Sequence, residues 1–437
     1  MTNIQAKEAG SMRVLLISAN TEQINMPVLP LGLAYVAAAL GGQGHTVKLI
    51  NLMMRIDTQK VLYGAIADFN PQIIGISVRN IDDQNMENPR FLLNAVKDVV
   101  TYCRKYSDAS IVLGGAGYSI FPQAVLDYLK ADIGIQGEGE SAFTALLKRL
   151  RDKRKLSEIP GLYLPGRTSR TKPGFVKNLT DIPLPLPGVH LSTPSTLKDQ
   201  KIWIPFQSRR GCPMDCSYCS TATIEGRIIR KHDPEKVVDA ILKYAGVGLD
   251  HFFFVDNTFN LPGAYAKKLC ERMIASKLKI TWRCILYPWE IDDELVEKMA
   301  RAGCREVSLG FESGSETILA KMNKKYRPTD VRRISERLKK FGIGRMGFLL
   351  LGGPGETRET ANESMEFADS LDLEAMKITI GIRIYPHTSL QQTAISEGLI
   401  TADDNLLIPK FYMAKDLEGW LRETVKTWME TRPHWLM

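Results

Sequence analysis

Three of the chain's seven cysteines, Cys212, Cys216 and Cys219, lie within eight consecutive residues. Cysteine thiolates hold iron–sulfur clusters, and a cubane normally takes four of them. Three thiolates leave one iron without a protein ligand, and an open position on a metal ion is where catalytic chemistry takes place. An amino acid could chelate that iron through its amino and carboxylate groups and receive an electron. Gly211 lets the backbone bend before the first cysteine, and Tyr218 offers a ring to a planar base.

Two other roles for these cysteines are open. A zinc site would need a fourth ligand. His232 is the only candidate soon after Cys219, and its separation from Cys219 along the sequence is unusual for a zinc site. A disulfide is disfavoured, because nothing in the sequence indicates secretion. We predict that most of the other cysteines are buried as small hydrophobic side chains, and that the chain works in a reducing cytoplasm. These scattered cysteines are Cys103, Cys270, Cys284 and Cys304.

The composition is that of a globular protein of two or three domains, with 437 residues, 44% of them apolar and 24% charged. The net charge of +8 is spread along the chain. Short basic runs such as Lys324-Lys325 have acidic or polar neighbours, so we predict a solvated surface and no nucleic-acid partner. The charge would favour an anionic substrate or cofactor. No apolar run reaches the roughly 20 residues of a membrane helix, and the first eleven residues lack the apolar stretch of a signal peptide.

Residues 12–150 alternate between short apolar runs and helical patterns. Five strands separated by helices predict a doubly wound parallel sheet, an α/β fold that binds ligands at the carboxyl ends of its strands. The predicted strands are residues 13–18, 46–52, 73–78, 110–113 and 133–135. Glycine clusters are common in turns, but three on one edge of a sheet indicate a ligand site. The candidate binding residues at these strand ends are Ser77, Arg79, Asn80, Gly114, Gly115, Gln136, Gly137 and Glu138.

A proline-rich stretch, residues 151–200, is predicted to link this domain to a second one. Strand and helix patterns alternate again over residues 201–400, where six βα units predict a partial (β/α)6 barrel with functional groups at the carboxyl ends of its strands. Residues 401–437 are predicted to form a short helical tail. Its tryptophans could pack a helix on the barrel or form a lid.

The cysteine loop resembles the cluster motif of the radical S-adenosylmethionine (radical SAM) enzymes. Segments at later predicted strand ends agree with that family: residues 256–259, 310–315, 352–357 and 383–386. The first 150 residues resemble the cobalamin-binding domain that precedes the barrel in one branch of these enzymes. The resemblance extends over roughly residues 13 to 400. It implies a [4Fe–4S] cluster, S-adenosylmethionine (SAM) and cobalamin as cofactors, with Cys212, Cys216 and Cys219 as cluster ligands.

The resemblance also implies roles for residues at the barrel strand ends. Glu312 and Ser313 are candidates for the ribose hydroxyls of SAM. Asp256 matches the acidic segment of the second strand and is a candidate cofactor-binding residue. Adenine would lie against Tyr218 and the segment around Tyr385. Arg383 could neutralise the SAM carboxylate, because guanidinium binds carboxylate with two hydrogen bonds.

For the cobalamin half, the resemblance implies that the glycines let the corrin approach the backbone. The D-x-H-x-x-G signature of domains that ligate cobalt through histidine is absent, and His45 sits in a turn where we expect a structural role. We hypothesise that Arg79 and Asn80 face the lower side of cobalt. Unchanged cobalt absorption in an Asn80→Ala variant would argue against ligation by Asn80.

The implied reaction is a radical-mediated C-methylation of a small molecule, in which SAM is cleaved to a 5′-deoxyadenosyl radical. A low-potential donor such as flavodoxin or ferredoxin would supply the electron. Ring contraction, oxidative cyclisation or hydroxylation is the enzymatic alternative. A cobalamin-binding sensor with a relic cluster is the non-enzymatic alternative, and the three intact cysteines argue against it.

Overall fold

The computed structural model describes residues 10–22, 29–53, 57–166, 171–190 and 202–437, which group into two compact units. The first unit comprises Met1–Asp83, Phe91–Ile202 and Thr223–Gly226, and the second comprises Gln84–Arg90, Trp203–Ala222 and Arg227–Met437. Part of the predicted linker (residues 167–170 and 191–200) and Lys201 lie outside the described residues. Within the described ranges, none of the helices is long and apolar enough to cross a membrane.

The first unit is built on a six-stranded sheet in the order β2-β1-β3-β4-β5-β6. Every pair is parallel except β5 with β6, so the predicted parallel sheet is confirmed and gains an antiparallel edge strand. The apolar run at residues 14–17 of the central strand β1 is fully buried, as expected of a strand covered on both faces. The strands are β1 (Arg13–Ser18), β2 (Thr46–Asn51), β3 (Ile73–Ser77), β4 (Ser110–Gly114), β5 (Ile133–Ile135) and β6 (Leu162–Tyr163).

Helices connect these strands, and α1 packs against α6 while α2 packs against α3. Leu33 of α1 and Phe143 of α6 join Val14 and Leu16 of β1 in one core. The short helix α4, which starts directly after Gly115, was not predicted from the sequence. The helices are α1 (Leu31–Gly42), α2 (Thr58–Phe69), α3 (Leu93–Tyr106), α4 (Ala116–Ile120), α5 (Pro122–Leu129) and α6 (Gly139–Arg151).

The second unit is built on a seven-stranded parallel sheet in the order β17-β14-β13-β12-β11-β10-β7. The six strands β7 and β10 to β14 confirm the predicted partial barrel. The main strands are β7 (Ile204–Phe206), β10 (His251–Phe254), β11 (Thr281–Leu286), β12 (Cys304–Glu312), β13 (Gly344–Leu351), β14 (Ala375–Ile380) and β17 (Trp435–Leu436). Two short antiparallel pairs accompany them: β8 (Arg209–Arg210) with β9 (Arg230–Lys231), and β15 (Ile382–Arg383) with β16 (Phe411–Tyr412).

Side chains of the central strands alternate between the helix layer and the inner face of the sheet. Phe311 of β12 packs against Phe367 of α13, whereas its neighbour Glu312 points the other way and is only partly buried. The helices of this unit are α8 (Pro234–Ala245), α9 (Gly263–Ala275), α10 (Asp293–Arg301), α11 (Glu316–Lys321), α12 (Pro328–Lys340), α13 (Arg358–Ser370), α14 (Ser389–Ser396) and α15 (Glu418–Glu430). The short helix α7 (Thr221–Glu225) is divided between the two units.

Two parts of the second unit depart from expectation. The tail predicted as helical contains α15, but it also supplies β16 and the seventh sheet strand, β17, which pairs with β14 through Met376 and Trp435. The segment Gln84–Arg90 belongs to the second unit although it comes between β3 and α3 in the sequence. There Met86 lies so close to Gly381 that a side chain at this glycine would meet the methionine sulfur, and Glu87 forms an ion pair with Arg422.

Candidate active site

The cysteine loop leaves the second sheet at the carboxyl end of β7. Gly211 has a φ of +89°, in the left-handed region that favours glycine, so the bend predicted there is confirmed. The Cys219 amide donates to the carbonyl of Cys216 at 3.1 Å and closes a turn. The Ser217 amide donates to the carbonyl of Met322 at 3.1 Å, and the carbonyl of Ser217 accepts from the Leu390 amide at 2.8 Å. The backbone between the cysteines is therefore held from two sides.

The donor set of this loop fits an iron–sulfur cubane. Cys212, Cys216 and Cys219 form no disulfide within the described ranges, and all three residues retain some exposure. Cys219 Sγ accepts from the Thr221 amide at 3.5 Å, a hydrogen bond that would stabilise a thiolate. In the described ranges, no three His, Cys, Asp or Glu side chains are placed to hold a single metal ion, so the zinc alternative with His232 finds no matching ligand set. A cubane instead distributes three thiolates over three irons.

Asp256 holds the start of the cysteine loop. Its carboxylate accepts from the amides of Ser208 and Arg209 at 2.7 and 3.1 Å and from the Ser208 hydroxyl at 2.6 Å. The guanidinium of Arg209 lies 3.3 Å from the same carboxylate and donates to the carbonyl of Leu261 at 2.9 Å. Burial raises the pKa of Asp256, while Arg209 and these donors oppose the rise. We therefore interpret Asp256 as a positioning residue, in place of the predicted direct contact with cofactor.

Lys324 brings three of the predicted residues together. Its side chain is only 4% exposed, and Nζ lies 3.5 Å from Glu312 Oε1. Nζ also donates to the Tyr218 hydroxyl at 2.9 Å. Burial alone would lower the pKa of Lys324, but Tyr218, Glu312 and Cys216 raise this pKa well above its usual value. Burial also raises the pKa of Cys216, and the charge of Lys324 opposes that rise. Cys216, Tyr218, Lys324 and Glu312 thus form one electrostatic group.

Two other predicted SAM ligands have partners within the chain. Ser313 is fully buried, and its hydroxyl lies 2.8 Å from that of Ser364 on α13. Arg383 is also buried and donates to the carbonyls of Ile384 and Leu406 at 2.6 and 2.8 Å. These contacts stabilise the strand ends, and the roles of Ser313 and Arg383 toward SAM stay predictions. Tyr385 stays half-buried, with the Arg383 guanidinium 5.2 Å from its ring.

Glu356 closes the loop that follows β13. Its carboxylate accepts from the amides of Gly352 and Gly353, the latter at 3.1 Å. The residue is 5% exposed. Burial raises the pKa of Glu356 to about 7, although the two amides oppose the shift.

We expect Glu356 to make stability fall as the pH rises. Its pKa is raised from 4.5 to about 7, so the folded protein keeps a proton that the unfolded chain releases over this interval. The free energy of unfolding should drop by up to about 3 kcal/mol across it. Glu356→Gln, which mimics the protonated acid, should flatten the profile, while Glu363→Gln on the exposed face of α13 should leave it unchanged. Urea unfolding on either side of the interval tests this, and parallel profiles for Glu356→Gln and the native protein would contradict it.

The first unit has a pocket at the carboxyl ends of β1 and β3. Its lining includes three of the predicted residues, Ser77, Arg79 and Asn80, together with Ala19, Asn20, Thr21, Glu22, Leu92 and Val96. Partial burial lowers the pKa of Arg79, although the residue keeps a solvent-exposed surface. The pocket lies at the edge where the sequence predicts that cobalamin binds, and that role stays a prediction.

The other predicted residues of this edge make contacts within the chain. Gln136 donates to the carbonyl of Ser119 at 2.9 Å, and Glu138 accepts from the Val176 amide at 2.6 Å. A Cβ on Gly115 would lie 2.6 Å from the carbonyl oxygen of Val78. A Cβ on Gly137 would lie 3.2 Å from Pro173, and both glycines have positive φ. Of the three predicted glycines, Gly114 alone has room for a Cβ, 3.7 Å from the nearest atom. The role of all three glycines toward a corrin stays a prediction.

Several residues of the site were not predicted from the sequence. The prediction that Lys324 lies on a solvated surface is wrong, because its side chain is buried. Tyr287 accepts from the Lys325 amide at 3.0 Å and packs edge-on against Tyr326 at 5.0 Å. Asn260 is fully buried and binds the backbone of Tyr287. The only available signal for Lys324 was its position soon after the segment that carries Glu312.

Two family models match the chain, and they fall on the two units. The B12 binding domain matches residues 17–147, and the radical SAM superfamily matches residues 207–368. The chain is therefore a cobalamin-dependent radical SAM enzyme, and its cofactors are a [4Fe–4S] cluster, SAM and cobalamin.

Similar proteins place it more narrowly. An uncharacterized methyltransferase of Pyrococcus horikoshii is 29% identical, with 89% of this chain and 84% of the relative covered. The tryptophan 2-C-methyltransferase of Streptomyces laurentii is 24% identical, with 86% and 73% covered. The radical SAM methyltransferase TsrM from Kitasatospora setae, solved with cobalamin and a [4Fe–4S] cluster, is 25% identical with a TM-score of 0.81, over 90% of this chain and 80% of that one. The chain thus falls among the cobalamin-dependent radical SAM methyltransferases.

Proposed function

We propose that this enzyme methylates an unactivated carbon of a small molecule by a radical route. The proposal is carried by one observation: a three-cysteine loop at the strand ends of a partial barrel and a B12 binding domain occur in a chain that is similar over 86–90% of its length to three methyltransferases. When bound, the cluster supplies the electron that cleaves SAM to a 5′-deoxyadenosyl radical, and cobalamin supplies the methyl group.

The chain's own residues hold and orient these groups. Cys212, Cys216 and Cys219 would bind the cluster, and Glu312 offers its partly exposed carboxylate as an acceptor for SAM hydroxyls or its amino group. Tyr218 and Tyr385 would flank the adenine. In the first unit, Ser77, Arg79 and Asn80 would contact cobalamin, with Arg79 and Asn80 toward the lower side of cobalt.

We propose that the substrate binds on the inner face of the second sheet. Half-buried side chains point to that face from adjacent strands: Ile285, Ser308, Phe348, Lys377 and Thr379. Burial lowers the pKa of Lys377, which indicates that its ammonium is partly removed from water. An apolar surface with a cation and two hydroxyls suits a small molecule with one anionic or polar end.

Methyl transfer is favoured over ring contraction or cyclisation by the relatives. A third relative, the cytidylyl-2-hydroxyethylphosphonate methyltransferase of Streptomyces wedmorensis, is 24% identical over 90% of this chain and 84% of its own length. This substrate and tryptophan are chemically unlike, so they support the reaction and a small-molecule substrate without identifying it. We further propose a low-potential donor such as flavodoxin or ferredoxin and a reducing compartment such as the cytoplasm, in keeping with seven cysteines that form no disulfide in the described part of the chain.

The test is anaerobic incubation of the holoenzyme with SAM, a reductant, cobalamin and metabolites of the producing cell. We expect 5′-deoxyadenosine together with a product heavier by one methylene unit, detected by mass spectrometry. Methyl-labelled SAM should pass its label to that product. Deoxyadenosine formed without any methylated product would contradict methyl transfer and favour the cyclisation alternative.

A further inference from the structure

The five residues 322–326, here called the lysine segment, hold the cysteine loop at three points. Besides the bond from the Ser217 amide to the carbonyl of Met322, Asn323 Nδ2 donates to the carbonyl of Asp215 at 3.2 Å. Lys324 Nζ donates to the Tyr218 hydroxyl. The segment and the loop are about a hundred residues apart in sequence, 106 between Lys324 and Tyr218, so these contacts are purely tertiary.

The ammonium of Lys324 lies in a site built to hold a cation. The rings of Tyr218, Tyr287 and Tyr326 have their centroids 5.1, 6.0 and 5.9 Å from Nζ, within cation–π range. Glu312 supplies a carboxylate partner 3.5 Å away. A buried ammonium is stable only with such partners. The arrangement keeps the charge in place beside the loop that carries Cys216.

We propose that Lys324 is a positioning residue that tunes the reduction potential of the cluster and that its charge is balanced by Glu312. Reduction adds one negative charge to the cluster. A fixed positive charge beside Cys216 favours the reduced state, and the carboxylate of Glu312 opposes that effect. The inference depends on the cluster and not on methyl transfer to any substrate.

The experiment is an anaerobic redox titration of the holoenzyme without SAM or substrate, followed by the electron paramagnetic resonance signal of the reduced cluster. Lys324→Met should lower the ratio of reduced to oxidised cluster at a fixed potential about tenfold, which is a shift of about 59 mV toward more negative potential. Glu312→Gln should shift the midpoint in the opposite direction. Lys324→Arg should stay near the native value.

Lys321→Met is the matched control, because Lys321 is an exposed lysine just before the lysine segment. Iron and sulfide are counted in every variant. A Lys324→Met protein with full iron content and an unshifted midpoint would overturn the proposal. If the Lys324→Met protein loses the cluster, the Glu312→Gln protein provides the test. A midpoint potential that stays unchanged or becomes more negative in Glu312→Gln would overturn the proposal. Because no substrate is present, these outcomes are independent of the methylation assay.

Discussion

Replacing Cys212, Cys216 and Cys219 together by serine is expected to remove iron, sulfide and visible absorption from the anaerobically purified protein. Thiolates are the ligands that hold iron–sulfur clusters, and the triple variant removes all three from the loop. All products of SAM cleavage should fall to background. The measurement is iron and sulfide per chain, with 5′-deoxyadenosine quantified in parallel. Cluster absorption that survives the triple substitution would contradict the assignment.

The same variant should remain folded. The loop is held by backbone bonds from Met322 and Leu390 to Ser217, and none of these uses a thiol. Circular dichroism and urea unfolding should therefore match those of the native apoprotein. Cys103→Ala is the control for loss of a cysteine as such, because Cys103 is fully buried in α3 of the other unit. It should retain the full cluster.

The elements that carry the site could be predicted because the periodicity of apolar residues indicates which faces of a strand or helix are buried. Continuous apolar runs marked strands covered on both faces, and the residues after each run had to lie at the same edge of a parallel sheet. The cysteine spacing needed no tertiary information, since its chemistry lies within eight residues. The two sheets and the cluster loop could therefore be predicted from the order of the amino acids alone.

The directions of individual side chains could not be predicted in this way. Ser313, Arg383, Gln136 and Glu138 all stand at the expected strand ends, but each bonds to a distant part of the chain. A buried polar group needs a partner, and which partner reaches it depends on packing that no local pattern encodes. Lys324 shows the converse case: a lysine next to another lysine appears solvated in the sequence, yet three tyrosines and a carboxylate enclose it.

The seventh strand and the segment Gln84–Arg90 were missed for a related reason. Strand β17 has only two residues, Trp435 and Leu436, too few for a periodic pattern. Met86 and Glu87 join the second unit through one close contact with Gly381 and one ion pair with Arg422. Such isolated long-range contacts leave no trace in composition or spacing.

Asp256→Ala is expected to destabilise the protein by roughly 3–5 kcal/mol, because it leaves a buried guanidinium without its anion. Arg209 is 1% exposed and Asp256 is fully buried, so water cannot replace the lost partner. The change also removes the acceptor of the Ser208 and Arg209 amides, which lie between β7 and the cysteine loop. Urea unfolding of the anaerobic protein measures the cost. Asp250→Ala is the control, because Asp250 directly precedes β10, the strand that Asp256 follows, and its side chain is 55% exposed. Loss of this exposed aspartate should lower the free energy of unfolding by about 1 kcal/mol or less.

Asp256→Asn separates the two roles that sequence and structure assign to this residue. If Asp256 bound SAM directly, as the sequence suggested, the amide would weaken SAM binding while the free energy of unfolding stayed near the native value. If Asp256 positions the cysteine loop through Arg209, the amide should lower stability and cluster content, and SAM affinity per intact cluster should stay the same. We expect the second pattern, since all four contacts of the carboxylate come from Ser208 and Arg209. Iron content, unfolding and SAM binding measured on one preparation decide between them, and a stable, fully loaded Asp256→Asn protein with weakened SAM binding would restore the direct role.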